Sequence, residues 1–356
     1  MGTGRNRMKA ARLHAPYDLR IDEVAFPVPP SNGEVLIRIL SSGICGSDLH
    51  IYKTAKIGDT VVESPLILGH EFSAVIEEVG EEALDGNSRP LKKGMRVAVD
   101  PARPCWKCEL CKRGHPNLCV NLQFCGNYPC DGCFCEYMVV PSTCCFPLPD
   151  EIDDDEGALL EPLGVAIHAI DLAKIKLGES VAILGAGPIG LMILALAKMA
   201  GADPVFISDK LDYRLSLASE LGGIKINSAK EDVVCRVLNE TSRRGVDVAI
   251  EAAWGNPTSQ ECVEVVRNGG RVVLVGIPED DRLEIKHSVA RRKGLTILMS
   301  RRMKHTYPRA IDMVLKKKIN LKRFISHRFP LEKINNAFEL NTAYKDGVIK
   351  IIIEHA

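Results

Sequence analysis

The stretch Val181-Ala182-Ile183-Leu184-Gly185-Ala186-Gly187-Pro188-Ile189-Gly190 decides how this chain is read. Four apolar residues of strand type run into a glycine-rich turn, and Leu191–Ala200 continues as a helix-forming segment. This is G-x-G-x-x-G in the strand–turn–helix setting that gives the pattern its meaning. The first glycine permits the tight turn, the second lets backbone amides approach a pyrophosphate, and the third lets the helix pack closely on the strand. The helix N-terminus that follows attracts phosphate. The pattern predicts a dinucleotide site built on Gly185, Gly187, Pro188, Ile189 and Gly190; a glycine turn in some other doubly wound domain is the alternative. The next strand, Val205–Ser208, ends at Asp209. A carboxylate there accepts the ribose hydroxyls and repels a 2′-phosphate, so NAD is expected over NADP, with Lys210 softening the discrimination. Arg214 is a candidate for the adenosine ribose or for a solvated helix face. Val275, Gly276 and Ile277, at the end of the strand Arg271–Val275, are further cofactor candidates.

Outward from that motif, apolar strands at Val181–Leu184, Val205–Ser208, Val246–Ile250 and Arg271–Val275 alternate with helix-length segments between about residues 180 and 297. Such alternation builds a parallel sheet covered by helices on both faces. Before it, short β-rich runs at Glu34–Leu40, Ser73–Val79, Arg96–Val99 and Glu136–Val140 are punctuated by Gly and Pro, which suggests a compact, mostly antiparallel unit. Leu84–Lys93 reads as an exposed turn. Asp153–Asp155 fall at a helix start, where the macrodipole favours carboxylates. Residues from about 300 onward return to mixed elements, end in a strand-like Val348–Ile353, and are expected to rejoin the first unit. No internal repeat is evident.

With 356 residues, the chain exceeds one ordinary core, in keeping with two domains. Lys plus Arg and Asp plus Glu both number 46, and this zero net charge lacks the basic footprint of a nucleic-acid binder. No run approaches the roughly 20 apolar residues of a membrane span. The N-terminal stretch Met1 to Ala10 is basic and polar, without the apolar core of a secretion signal, so a cytoplasmic protein is expected. In a reducing compartment, the thirteen cysteines at short spacings favour metal or catalysis over disulfides.

Cys105-x-x-Cys108-x-x-Cys111 followed by Cys119 suits a closed tetrahedral zinc site. With sulfur at all four positions no place is left for a substrate, so the expected role is structural, an ion clipping a loop that lacks its own core. An iron–sulfur cluster takes the same ligands and is the rival. A second constellation is dispersed: Cys45 within Gly43-Ile44-Cys45-Gly46-Ser47-Asp48-Leu49-His50, His70 and Glu71 within Leu68-Gly69-His70-Glu71-Phe72, and Glu161 within Leu160-Glu161-Pro162-Leu163-Gly164. Singly these read as a packed thiol, a core histidine and a helix-start carboxylate. Together, beside a nicotinamide site, they read as a catalytic metal centre with a mixed sulfur, nitrogen and oxygen shell. Cys125, Cys130, Cys133, Cys135, Cys144 and Cys145 have no assigned role; Cys130-x-x-Cys133 fits an ordinary turn better than a second metal or redox pair.

In the order and context of these motifs the whole chain resembles the zinc-containing medium-chain dehydrogenase/reductase superfamily. Lys56-Ile57-Gly58-Asp59, Glu161-Pro162-Leu163 and His327-Arg328-Phe329-Pro330-Leu331-Glu332 make it most similar to the sorbitol (polyol) dehydrogenases. The resemblance implies an α/β two-domain fold. A GroES-like, mostly-β catalytic domain would span residues 1–164, with a structural zinc lobe at about 101–122. A Rossmann NAD-binding domain would span 165–299, and residues 300–356 would complete the catalytic domain. It implies two zinc ions per chain, the catalytic one held by Cys45, His70 and Glu71, with Glu161 binding it directly or through a water. It also implies a homo-oligomer, tetramer or dimer.

Arg302, in Arg301-Arg302-Met303-Lys304-His305-Thr306-Tyr307-Pro308, matches the subfamily's substrate-binding arginine, with a solvated basic face as the alternative. Ile51 and Met303 stand where aromatic residues are usual, which leaves a polyol, a cyclitol or another vicinal diol as substrate. Phe124 is a candidate pocket wall or a core residue. The implied chemistry is hydride transfer from a secondary alcohol, made possible by a Lewis-acidic ion that eases loss of the hydroxyl proton. Ser47 and His50 have the spacing of a proton relay, Glu161 is the competing base, and His50 is otherwise a surface histidine. Butanediol or threonine dehydrogenase activity is the second reading, and a non-catalytic nucleotide sensor the distant one.

Overall fold

The computed structural model describes residues 6–355, so residues 1–5 of the basic N-terminal stretch lie outside the described residues. The chain forms two compact units, one of Met1–Glu161 with Tyr307–Ala356, the other of Pro162–Thr306.

In the second unit, six parallel strands stand in the order Ile224–Asn227, Val205–Asp209, Val181–Leu184, Val246–Glu251, Val266–Leu274, Thr296–Met299. Numbered by sequence, that order is 3-2-1-4-5-6, the doubly wound arrangement whose ligand crevice lies at the carboxyl ends of the central strands. Val181–Leu184 and Val246–Glu251 are buried at every position, as strands covered on both faces must be. The first strand ends at Leu184, just before Gly185, and the helix Pro188–Met199 starts with proline in its first turn, where a missing N–H costs nothing.

The first unit is organised by a seven-stranded sheet. Its path runs Cys145–Pro147, Arg96–Val99, Glu71–Val79, Glu34–Gly43, Lys350–Glu354, Ile325–Pro330, with Tyr137–Pro141 also paired to Glu34–Gly43. The pairings are antiparallel except that between Ile325–Pro330 and Lys350–Glu354. The returning tail therefore supplies the two strands at one end of this sheet, Lys350–Glu354 pairing with Glu34–Gly43. Leu331, Ile334, Phe338, Ile351 and Ile353 pack into the same core as Ile37, Ile39, Phe72 and Phe134. Each such buried side chain contributes about 1.5–3 kcal/mol before ordering costs, enough to hold the tail in place.

Register positions the chemistry. Glu71 lies opposite Gly43, and Ile352 lies opposite Gly43 on the other side, so the residues just beyond Gly43 face both Glu71 and the start of the C-terminal strand. A Cβ on Gly43 would collide with the Glu71 carboxylate, so glycine is the residue that admits it.

The stretch Leu84–Lys93 is exposed as expected, with two exceptions. Asp85 is buried, accepting hydrogen bonds from the amides of Asn87 and Arg89, and Leu91 packs in the core. The segment Ser300–Thr306 groups with the parallel-sheet unit, the tail proper beginning at Tyr307. Ile51 and Met303 are buried, at 3% and 5% exposed. The acidic run does begin a helix. Asp153 caps Asp154–Ala158, accepting from the Glu156 amide at 2.8 Å. Among the described residues no helix is long and apolar enough to cross a membrane.

Candidate active site

Cys45 directly precedes the helix Gly46–Thr54, and His70 directly precedes the strand Glu71–Val79 that Glu71 opens. Their ligand atoms lie within 4.8 Å of one another. His70 and Glu71 are 4% and 1% exposed. One half-buried sulfur converges with a buried imidazole nitrogen and a buried carboxylate oxygen, a donor set suited to zinc with a position left for another ligand. Glu161 lies outside that group of three. It is 4% exposed, sits on the helix Leu160–Ala173, and acts electrostatically on Lys350.

A carboxylate behind the imidazole fixes it. Asp48, fully buried, places Oδ1 3.2 Å from His70 Nδ1 and accepts the amides of Cys45 at 2.9 Å and Gly69 at 3.2 Å. One side chain thus ties the two stretches together and directs Nε2 of His70 away from itself, the usual support of a metal-binding histidine. Burial works against a charge on His70, but Asp48 and Cys45 outweigh it and hold its pKa well above the ordinary value. Ser47 Oγ is 3.5 Å from His70 Nε2, and the Phe124 ring stands 5.1 Å from the His70 ring, centroid to centroid. Phe124 is thus a wall of this cluster, half-buried. His50 is buried, which removes the surface-histidine reading.

Lys350, like Asp48, is a residue that sequence reasoning missed. Its ammonium, buried at the start of the C-terminal strand, donates to both Glu71 oxygens, at 2.8 and 2.7 Å, and to the Ile44 carbonyl at 3.0 Å. Burial opposes its charge, yet Glu71, Cys45 and Glu161 raise its pKa above the ordinary lysine value. The signal was a lysine leading the aliphatic run Ile351-Ile352-Ile353.

The four-cysteine lobe is built locally. Cys108 precedes the short helix Glu109–Lys112 that carries Cys111, and the turn Pro116–Leu118 delivers Cys119. Sγ of Cys119 lies 3.4 Å from that of Cys105 and 3.9 Å from that of Cys108. A tetrahedron of sulfurs with zinc–sulfur bonds of about 2.3 Å has edges of about 3.8 Å, so the lobe has the size of a zinc site. Amides of Cys105 and Cys108 donate to Sγ of Cys119 and Cys105, at 3.3 and 3.4 Å. Backbone amides bring Cys105 down to about 6, whereas burial pushes Cys111 up to about 12. All thirteen cysteines are free thiols. Burial pushes the thiols of Cys125, Cys133, Cys135, Cys144 and Cys145 upward, which makes them inert packing residues. Cys130 and Cys133 join neither of the two metal-type groups found among the described residues.

In the second unit, a Cβ on Gly190 would collide with the Gly185 carbonyl, whereas one on Gly187 would meet only Arg214 Nη1, at 3.8 Å. The space over Gly187 is thus an open cradle of the kind a pyrophosphate fills. Asp209 is held by the amides of Ala186 at 2.9 Å and Leu211 at 3.0 Å, with Arg214 Nη1 3.8 Å away. Val275 and Gly276 leave the carboxyl end of their strand and donate their amides to the Glu251 carbonyl and carboxylate, at 2.9 and 3.1 Å. Ile277 is 47% exposed. Arg302 belongs to this unit and has a φ of 55°, a left-handed conformation that costs a non-glycine residue energy and marks a constrained site.

The profile of alcohol dehydrogenase GroES-like domains matches residues 31–150, and that of zinc-binding dehydrogenases matches residues 188–316. The chain is 37% identical to a sorbitol dehydrogenase of Bacillus subtilis (strain 168), covering 97% of both chains. It is 37% identical to the Homo sapiens sorbitol dehydrogenase, covering 96% of this chain and 94% of that one. Among solved structures, a zinc-binding dehydrogenase from Sinorhizobium meliloti bound to NADP superposes with a TM-score of 0.88 at 32% identity, covering 98% of this chain and 100% of that one. A short chain alcohol dehydrogenase from Escherichia coli complexed with NADH has a TM-score of 0.88 at 30% identity, with the same coverage. The 2R,3R-butanediol dehydrogenase from Bacillus subtilis has a TM-score of 0.85 at 31% identity, covering 98% and 99%. The chain thus belongs to the zinc-containing medium-chain dehydrogenase/reductase superfamily, close to the sorbitol dehydrogenases, and is a zinc-binding alcohol dehydrogenase that works with a nicotinamide dinucleotide.

Proposed function

We propose that the chain interconverts a secondary alcohol of a polyol, sugar alcohol or cyclitol with its ketone, using NAD. The observation that carries this reading is the convergence of Cys45, His70 and Glu71 within 4.8 Å. When bound, zinc would ease loss of the alcohol proton and the nicotinamide would take up the hydride. The remaining work falls to the chain's own residues. Cys45, His70 and Glu71 hold the catalytic ion, and Glu161 serves as its outer carboxylate or a fourth ligand. Asp48 fixes the imidazole. Ser47 and His50 carry the proton outward, with Glu161 as the competing base. Phe124 narrows the site against His70, and Arg302 binds substrate hydroxyls. Cys105, Cys108, Cys111 and Cys119 hold a second, structural zinc.

The preference for NAD rests on Asp209, whose carboxylate two backbone amides keep at the strand end, next to the turn that opens over Gly187. Arg214 supports the same ribose, and Gly185, Gly187, Pro188, Ile189 and Gly190 take the pyrophosphate. Val275, Gly276 and Ile277 border the cofactor. The thirteen free thiols favour a reducing, cytoplasmic setting, and the family resemblance favours a homo-oligomer, which sedimentation would read.

The similarity in fold to a butanediol dehydrogenase keeps a smaller vicinal diol as a second reading. Polyols, cyclitols, 2,3-butanediol and threonine, each assayed for NADH formation, separate these. A polyol or cyclitol should give the highest kcat/KM, with NADP a poorer acceptor. A panel in which no alcohol reduces NAD would sink the proposal, and one led by butanediol or threonine would replace the substrate class.

A further inference from the structure

The three donors of the Lys350 ammonium are all used on one short arc, two on the oxygens of Glu71 and one on the Ile44 carbonyl. Both ion-pair side chains are at most 3% exposed, so neither has water as an alternative partner. The arrangement is also built for. The Glu71 carboxylate occupies the space that Gly43 leaves by lacking a side chain, and the strand register brings Lys350 to that point from 279 residues away. Yet Glu71 also offers an oxygen to the group it forms with Cys45 and His70. A carboxylate oxygen binds zinc at about 2.0–2.2 Å, so ion and ammonium would lie within about 5 Å of each other on either side of one carboxylate.

We propose that Lys350 is a positioning residue that competes with the catalytic metal for Glu71. It balances the Glu71 carboxylate in the metal-free pocket and keeps that pocket assembled, and it makes Glu71 the most loosely held of the three ligands. The inference rests on the reading of Cys45, His70 and Glu71 as the catalytic metal site. A buried carboxylate that loses its only cation is strongly disfavoured. In metal-free protein Lys350 is that cation; in loaded protein the ion takes over part of the role. Removing the lysine charge should then harm the metal-free form more than the loaded form, so the ion should be held more tightly.

The test uses Lys350→Met, which removes charge and donors, and Lys350→Gln, which keeps an N–H donor without the charge. Each full-length chain is loaded with zinc and challenged with a chelator, the release of both ions being followed with the four-cysteine lobe as internal reference. Catalytic zinc should leave both variants about tenfold more slowly than it leaves the wild type, with the second ion unaffected. The melting temperature should fall further in metal-free than in zinc-loaded variants. Variants that fold only with zinc supplied would support the competition, and variants that fail to fold even with zinc would overturn it. Release that is unchanged or faster would overturn it too. Crystals of the wild type with and without catalytic zinc give an independent reading, in which one Lys350–Glu71 contact should lengthen beyond hydrogen-bond distance when zinc is present. Both contacts unchanged at 2.7–2.8 Å would overturn the competition. A wild type that takes up a single zinc ion in excess metal would overturn the metal centre and the competition together, whereas two ions with unaltered release would overturn the competition alone.

Discussion

The first unit contains two cation-type clusters built on opposite principles. The lobe draws four like donors from fifteen consecutive residues, 105–119, two of them only partly buried, and needs no more than two short helical turns to gather them. The other draws three unlike donors from two separate stretches, with Asp48 behind one ligand and Lys350 behind another. A closed sulfur shell asks for nothing beyond its own loop. An open, mixed shell leaves a coordination position free and two charges to manage, and it needs the surrounding sheet to supply their partners.

The contrast breaks most visibly at Cys45. Cys45→Ser should cut alcohol-dependent NADH formation by about 10³-fold or more, the several kcal/mol an ion's polarising role supplies. NADH binding, followed by fluorescence, and the lobe's zinc should be retained. Activity above one tenth of wild type would mean the mixed cluster is not the reacting centre.

Cys111→Ser should act the other way, costing about 2–4 kcal/mol of stability, releasing one zinc and opening residues 101–122 to proteolysis. An unchanged melting temperature would show the lobe to be dispensable.

Asp48→Asn sharpens the difference, because only one cluster has an orienting carboxylate. Zinc affinity of the mixed site should weaken by about 10–100-fold, as measured by competition with a chromophoric chelator, with the lobe unaffected.

The smallest effect is that of pH on the lobe. With its thiol pushed up to about 12, Cys111 carries a proton at neutral pH until metal expels it. Affinity should therefore fall as pH falls, by about tenfold per unit for each thiol still protonated. Cys105, held near 6, should add to that slope only below about pH 6. Zinc titrations from pH 5 to 8 would read this, and a flat profile would contradict the thiol chemistry assigned to the lobe.

What could be read in advance followed the range of the interactions. The lobe and the turn Gly185–Gly190 are contiguous, so spacing alone fixes most of their geometry. Lys350 could not be found in this way, nor could the space that Gly43 leaves for Glu71, because both depend on which residues face one another across three strands.

The sequence by itself determined the alternation that makes a parallel sheet, the phosphate-binding turn and the cysteine spacing, because each is a local preference satisfied within a few residues. The tertiary structure alone decided that Cys45, His70 and Glu71 meet, that Asp48 stands behind the imidazole, and that a lysine from the last strand grips Glu71. Those contacts close loops of up to 279 residues, and their cost is met only by a sheet whose register is set by its whole core.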